Sequence, residues 1–241
     1  MSIVLPREHG AWAMLIVPFV VGVVSYGPTW LHLPLFLGWF FLYLSSCPLR
    51  MLFRNPQQTS KLVKWLAIYS IIGTVFLMIP LYYHWQLLSL GLLMVPLLGA
   101  NLYFAKVKRE REFINNLSGI AALSLGSVAS IYVAVGAWTE EAFWVWLFCV
   151  LFFGGSVFFV KTKIRERNNT VFLYYSWLYH GLLVLFPIFL TEFLLALAYL
   201  PSFARSTAFT KREMSPLQIG QVEILNSLFF SVAIINYLKL A

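Results

Sequence analysis

Apolar residues come in long runs separated by short polar breaks. The runs cover 10–26, 30–47, 64–83, 86–105, 114–137, 142–160, 171–189, 192–204 and 217–238. A helix needs about 20 apolar residues, and at least about 17, to cross the hydrocarbon core of a bilayer. Most of these runs meet that length. The breaks carry their own signals. Tyr26-Gly27-Pro28-Thr29 is a turn sequence, Tyr82-Tyr83-His84-Trp85 is an interfacial aromatic cluster, and Thr139-Glu140-Glu141 divides the fifth run from the sixth. The weakest division is Thr191-Glu192. The stretch 171–204 is long for one straight span and short for two, so its second part is expected to be tilted or partly re-entrant. The pattern predicts an all-α polytopic membrane bundle of nine helices, with seven or eight as the alternative. It forms one transmembrane domain over 1–241 with no soluble appendage.

The placement of charge orients these spans. Sixteen of the 17 basic residues fall in five groups: Arg7; Arg50, Arg54, Lys61 and Lys64; Lys106, Lys108, Arg109 and Arg111; Lys161, Lys163, Arg165 and Arg167; and Arg205, Lys211 and Arg212. Consecutive groups are separated by room for two crossings, so all five belong to one side. The opposite loops carry Glu140, Glu141 and Glu192 and no Lys or Arg. The positive-inside rule makes the basic side cytoplasmic. The expectation is therefore a bacterial cytoplasmic membrane protein with its N-terminus inside and, after nine spans, its C-terminus outside. The sequons at Asn116 and Asn168 then face the cytoplasm, away from glycosylation. The first run reads as a retained helix, because Val23-Val24-Ser25-Tyr26 is a poor cleavage site.

Composition sharpens this. The 241 residues are 61% hydrophobic and 11% charged, with mean hydropathy +0.81. Soluble chains carry about 25% charged residues. All nine acidic residues are Glu, and the chain has no Asp. That removes Asp-rich metal loops and Asp-bearing triads, and no metal, cofactor or nucleic-acid partner is expected. Cys47 and Cys149 lie inside apolar runs and read as small buried hydrophobes. Aromatic helices leading into basic loops near 40–54 and 152–167 give a faint pseudo-repeat of helix pairs.

Three sets of residues carry candidate chemistry. The first is Leu5-Pro6-Arg7-Glu8-His9-Gly10-Ala11-Trp12. It reads either as an interfacial helix cap or as a cluster over a cytoplasmic cavity. In the second case His9 moves a proton, and Arg7, beside Glu8, holds an anion. The second set is basic: Arg50, then Asn101, Lys106 and Arg109, then Lys161, Lys163 and Arg165. These residues either fix topology by attraction to anionic headgroups or line the mouth of an anion-binding cavity. The third set is polar residues at membrane depth, which are costly there. Glu223, with Gln218 and Asn226 partly on its side, is the best intramembrane candidate, against a plain interhelical hydrogen-bonding role. His180, amid Tyr174, Tyr175 and Tyr179, is a candidate binding residue or a helix–helix partner. His9 and Glu223 are the candidate catalytic groups.

The opening Leu5-Pro6-Arg7-Glu8-His9-Gly10-Ala11-Trp12-Ala13 resembles the N-terminal signature of the YwiC-like family of bacterial membrane proteins, and the similarity runs over most of the chain. More distantly, the helix plan is similar to that of UbiA-type intramembrane prenyltransferases. The segment from Tyr103 to Gly126, with Lys108-Arg109, Gly119 and Gly126, looks like their fourth-to-fifth-helix region. That resemblance implies functional cytoplasmic loops after the second and sixth helices, where such enzymes hold Mg²⁺ with aspartates. Here those loops read Ser45-Ser46-Cys47-Pro48-Leu49-Arg50 and Lys161-Thr162-Lys163-Ile164-Arg165-Glu166-Arg167. Mg²⁺ takes carboxylate oxygens, and a lone Glu among four cations is a poor site. Mg²⁺-dependent prenyl transfer is therefore not expected. Lys and Arg can contact phosphate oxygens directly. The leading expectation is a protein that binds an isoprenoid or other anionic amphipathic lipid at a basic cytoplasmic-face cavity. The alternatives are a small proton-coupled transporter of an organic anion and a non-catalytic subunit or assembly factor of a membrane complex.

Overall fold

A computed structural model describes residues 3–6, 9–54, 59–210 and 212–240. Among these residues the chain forms nine α-helices and no strand, as the run pattern predicts. They are α1 (His9–Tyr26), α2 (His32–Arg54), α3 (Thr59–Tyr83), α4 (Leu88–Lys106), α5 (Phe113–Val135), α6 (Glu140–Ile164), α7 (Thr170–Phe189), α8 (Phe193–Ala208) and α9 (Pro216–Leu240), with a 3₁₀ turn, Trp85–Leu87, before α4. Seven of them, α2 through α7 and α9, are long and apolar enough to cross a membrane, and α1 is a shorter apolar helix. Large side chains such as Leu92, Phe189 and Leu225 project outward from the helices. In water such surface would be an aggregation hazard, whereas in lipid it is the solvated face. The protein is a polytopic helical membrane protein.

Helix ends that carry basic residues run past the apolar runs, whereas the weakest predicted break falls where the pattern puts it. The second run ends at residue 47 on hydropathy, yet α2 continues through Pro48 to Arg54. Lys and Arg are good helix formers, and Ser45 and Ser46 donate to the carbonyls of Leu42 and Tyr43 within the helix just before the proline. Membrane helices tolerate proline where side chains and neighbouring helices satisfy the backbone. The basic groups expected in loops thus ride largely on helix ends: Arg50 and Arg54 on α2, Lys161 and Lys163 on α6, and Arg205 on α8. The ambiguous stretch 171–204 divides into α7 and α8 at Leu190-Thr191-Glu192, where Thr191 takes a left-handed backbone, φ 64°. Sixteen residues give α8 a length of about 24 Å, less than the roughly 30 Å hydrocarbon core.

The helices gather into two compact units, 1–146 and 147–241, with the division inside α6. In the first unit, small residues allow close helix approach. A Cβ on Gly22 of α1 would stand 2.9 Å from the Ser127 carbonyl of α5, and one on Gly38 of α2 would stand 3.1 Å from the Gly73 carbonyl of α3. Leu15, Phe19, Leu35, Trp39, Tyr43 and Tyr132 form the core of this unit. In the second unit, Phe152 of α6 stacks on Phe230 of α9 with ring centroids 4.0 Å apart. Tyr199 of α8 packs beside them and donates to the Phe148 carbonyl at 3.0 Å.

Candidate functional site

The second unit holds a chain of polar groups inside its apolar core. It begins with the α8–α9 pairing. Asn226 Nδ2 donates to Ser202 Oγ at 2.9 Å. One turn further along α8, and one turn back along α9, Arg205 forms an ion pair with Glu223. The residue numbers of the two rungs have the same sum, as antiparallel neighbours require. Both rungs therefore lie on one seam between the helices.

Arg205 is the centre of this arrangement. Its side chain is 4% exposed and that of Glu223 17%. Nη2 lies 3.4 Å from Ser156 Oγ of α6. The guanidinium carbon sits 4.5 Å from the centroid of the Phe159 ring, a cation–π geometry. Nε has no hydrogen-bond partner. Guanidinium has five donors in a fixed fork and does not deprotonate in proteins. It is therefore an obligate buried cation, held by one carboxylate and one weak hydroxyl contact.

His180 of α7 extends the cluster. It is 1% exposed, and its Nδ1 lies 2.7 Å from the Ser176 carbonyl. A carbonyl only accepts, so Nδ1 carries the proton and the lone pair of the neutral ring is on Nε2. Nε2 makes no well-aligned hydrogen bond and lies against the Gly155 backbone of α6, where a Cβ would stand 3.0 Å away. At the adjacent Gly154 a Cβ would stand 2.6 Å from Tyr179 Oη, which donates to the Leu151 carbonyl at 2.8 Å. The Gly154-Gly155 pair thus admits the Tyr179-His180 edge of α7. His180 lies within electrostatic reach of Arg205.

The basic end of the unit is tied down by its own side chains. Lys163 Nζ donates to the carbonyls of Phe209, Thr210 and Arg212, closing the C-terminus of α8, where a cation suits the exposed carbonyls. Arg167 pairs with Glu213. Ser215 and Gln218 cap each other at the start of α9, Ser215 N to Gln218 Oε1 at 2.9 Å and Gln218 N to Ser215 Oγ at 3.3 Å. Pro216 occupies the first helical position, where its missing N–H costs nothing.

The sequence candidates divide between the two units. Glu223 and His180 belong to the buried cluster, with Arg205 as their common neighbour. Lys163 is committed to the α8 end. Lys161 is half-buried and Arg165 exposed on the same α6 terminus, and both have interactions of their own. In the first unit, Arg50 is half-buried near the end of α2 and is likewise engaged. Lys106 and Arg109 are exposed at and after the end of α4. Asn101 bridges helices, with Nδ2 donating to Ser118 Oγ and to the Leu97 carbonyl, both at 2.9 Å. Arg54 pairs with Glu110 at 2.9 Å. Arg7 and Glu8 lie outside the described residues, and His9 opens α1. Among the described residues no three His, Cys, Asp or Glu side chains gather as a metal site.

Arg205 is the residue that sequence reasoning missed, because it was counted among topology-setting charges. Two signals marked it. Glu223 at membrane depth needed a counter-charge, and Arg205 sits between Ser202 and Ser206, small residues that let a neighbouring helix come close.

The chain is 38% identical over 230 residues to the protein YwiC of Bacillus subtilis, covering 95% of this chain and 96% of that one. It is 33% identical over 236 residues to a protein of Haemophilus influenzae, covering 98% and 99%. No solved structure matches. A family model described as YwiC-like protein matches residues 5–131, and the chain is a member of that family.

Proposed function

We propose that this protein binds the anionic head of an amphipathic molecule of the isoprenoid or lipid class at the Arg205 cluster of the second unit, without a divalent metal. One observation carries the reading: a guanidinium that cannot lose its charge sits 4% exposed inside a membrane helix bundle, with Nε unpartnered. A buried charge at a membrane helix end is costly unless paired, and an ionisable group so placed is a candidate ligand or ion site. Arg binds phosphate and carboxylate in two-point geometry.

The surroundings fit the two ends of such a ligand. Lys161, Lys163 and Arg165 supply positive potential at the end of α6. The exposed apolar side chains of the unit, such as Leu178, Leu197 and Leu225, supply surface for a tail. Direct contact by Arg and Lys replaces Mg²⁺ in this reading, since the chain has no Asp and hard cations take carboxylate oxygens. The basic helix ends face the cytoplasm of a bacterial inner membrane.

The test is binding of farnesyl diphosphate, farnesol and inorganic diphosphate to the purified protein, with Arg205→Gln alongside. The reading expects the amphipathic anion to bind best, the neutral alcohol weakly, and Arg205→Gln to lose at least about tenfold in affinity, the scale of one charge-assisted contact. Equal binding of farnesol and farnesyl diphosphate, or no effect of Arg205→Gln in a folded protein, contradicts it.

A further inference from the structure

Building on the anion-binding reading, we infer that Glu223 is an internal stand-in for the ligand anion, and that ligand binding at Arg205 is coupled to uptake of one proton by the Glu223 carboxylate. The geometry is one cation facing one carboxylate in a nearly closed apolar environment. That pair is neutral. Adding an external anion to the ionised pair leaves a net negative charge where burial of unpaired charge is most costly. Protonating Glu223 restores neutrality. Its carboxylate gains a proton from solvent, its ion pair with Arg205 breaks, and Arg205 forms the new pair with the ligand. No covalent bond is made or broken.

Glu223 is placed for this exchange. It is the more exposed partner, 17% against 4%, and lies in the second turn of α9, near the basic end. Arg205 is fixed from the other side by Ser156 and Phe159, so the carboxylate is the freer of the two to leave. Among the described residues, the other ionisable groups placed near the pair are His180 of α7, within electrostatic reach of Arg205, and Lys163 of α6. Lys163 lies 5.9 Å from the centroid of the Phe159 ring that also carries Arg205. His180 is the competing proton acceptor, because its Nε2 makes no well-aligned hydrogen bond.

The experiment uses radiolabelled hexadecyl sulfonate, whose head stays ionised throughout, and protein in neutral-lipid nanodiscs between about pH 5 and about pH 8. With one linked proton, affinity rises about tenfold for each unit fall in pH over the range where Glu223 is ionised in the free protein, and about one proton is taken up per ligand bound. An indicator dye in weakly buffered solution reads that proton directly in the unmodified protein. Glu223→Gln, which imitates the protonated acid, should bind as tightly at high pH as the unmodified protein does at low pH, with the slope abolished. His180→Asn should keep the slope. Binding without a pH slope or proton uptake overturns the exchange and leaves the binding reading standing. A slope that survives in Glu223→Gln and vanishes in His180→Asn assigns the proton to His180 and overturns it too. A slope with methanesulfonate but not with the long-chain probe supports the exchange and contradicts the amphiphile. No binding of either probe at any pH overturns both readings.

Discussion

Replacing either member of the Arg205–Glu223 pair should destabilise the protein, and replacing both should restore much of the loss. Breaking a buried ion pair from one side costs about 3–5 kcal/mol, because the remaining charge is left without a partner. The two sides are not equivalent here. Glu223→Leu leaves Arg205 as an obligate cation, 4% exposed, with only the 3.4 Å contact to Ser156 Oγ and the Phe159 ring. It should lie at the top of that range. Arg205→Met leaves a carboxylate that is 17% exposed and can be neutralised by a proton. Its cost is the ion pair less that relief, plus about 0.5–2 kcal/mol of cation–π contact. Arg205→Met should therefore be the milder single variant. The double variant places two apolar side chains on the α8–α9 seam and should be no worse than Glu223→Leu alone. Equilibrium unfolding in mixed micelles, followed by tryptophan fluorescence, closes the cycle. A coupling of about 3 kcal/mol is expected, at the upper end for directly paired residues. Single effects that add within about 0.5 kcal/mol, the behaviour of independent sites, would refute the argument that the two charges hold each other in place.

Other consequences follow from the same packing. Gly154→Ala places a Cβ 2.6 Å from Tyr179 Oη and should cost about 1–3 kcal/mol, as overpacking does, with the Tyr179–Leu151 hydrogen bond lost; thermal unfolding checks the cost. Gly22→Ala meets the Ser127 carbonyl at 2.9 Å, which as backbone cannot swing away, so a melting-temperature drop of similar size is expected in the first unit. Lys163→Met removes the donor that closes α8 onto Phe209, Thr210 and Arg212; amide exchange over 205–212 should quicken while the α8 middle stays protected. Chelation with EDTA, or addition of Mg²⁺, should leave farnesyl diphosphate binding unchanged beyond general salt screening, and a requirement for Mg²⁺ would contradict the metal-free reading.

The helix inventory was legible because a bilayer imposes a length on each apolar run. Boundaries were less so. Hydropathy ends α2 at Cys47, but backbone hydrogen bonding carries it to Arg54, since a terminal turn bearing Arg is as helical as one bearing Leu. The break at Thr191 was visible only as a weak polar interruption; its left-handed backbone is a tertiary outcome. Glu223 and His180 stood out because charge at depth is rare. Arg205 did not, because three basic residues near 205–212 look alike in sequence. Whether one of them faces a neighbouring helix depends on how α8 rotates against α9. The rungs 202–226 and 205–223 fix that rotation, and it takes both helices to see them. Asn101, read as a possible ligand contact, proved to be joined to Ser118 of α5, a pairing that no local pattern foretells.

An amphipathic anion with its head at Arg205 would lie against α8 and α9. Photolabelling with a prenyl phosphate carrying a diazirine beside its head, followed by peptide mapping by mass spectrometry, addresses it most directly. Labels are expected on α8 and α9 peptides between Ser202 and Asn226, suppressed by excess farnesyl diphosphate and lost in Arg205→Gln. Labels confined to the first unit, or labels on α8 and α9 that persist in Arg205→Gln, would contradict it.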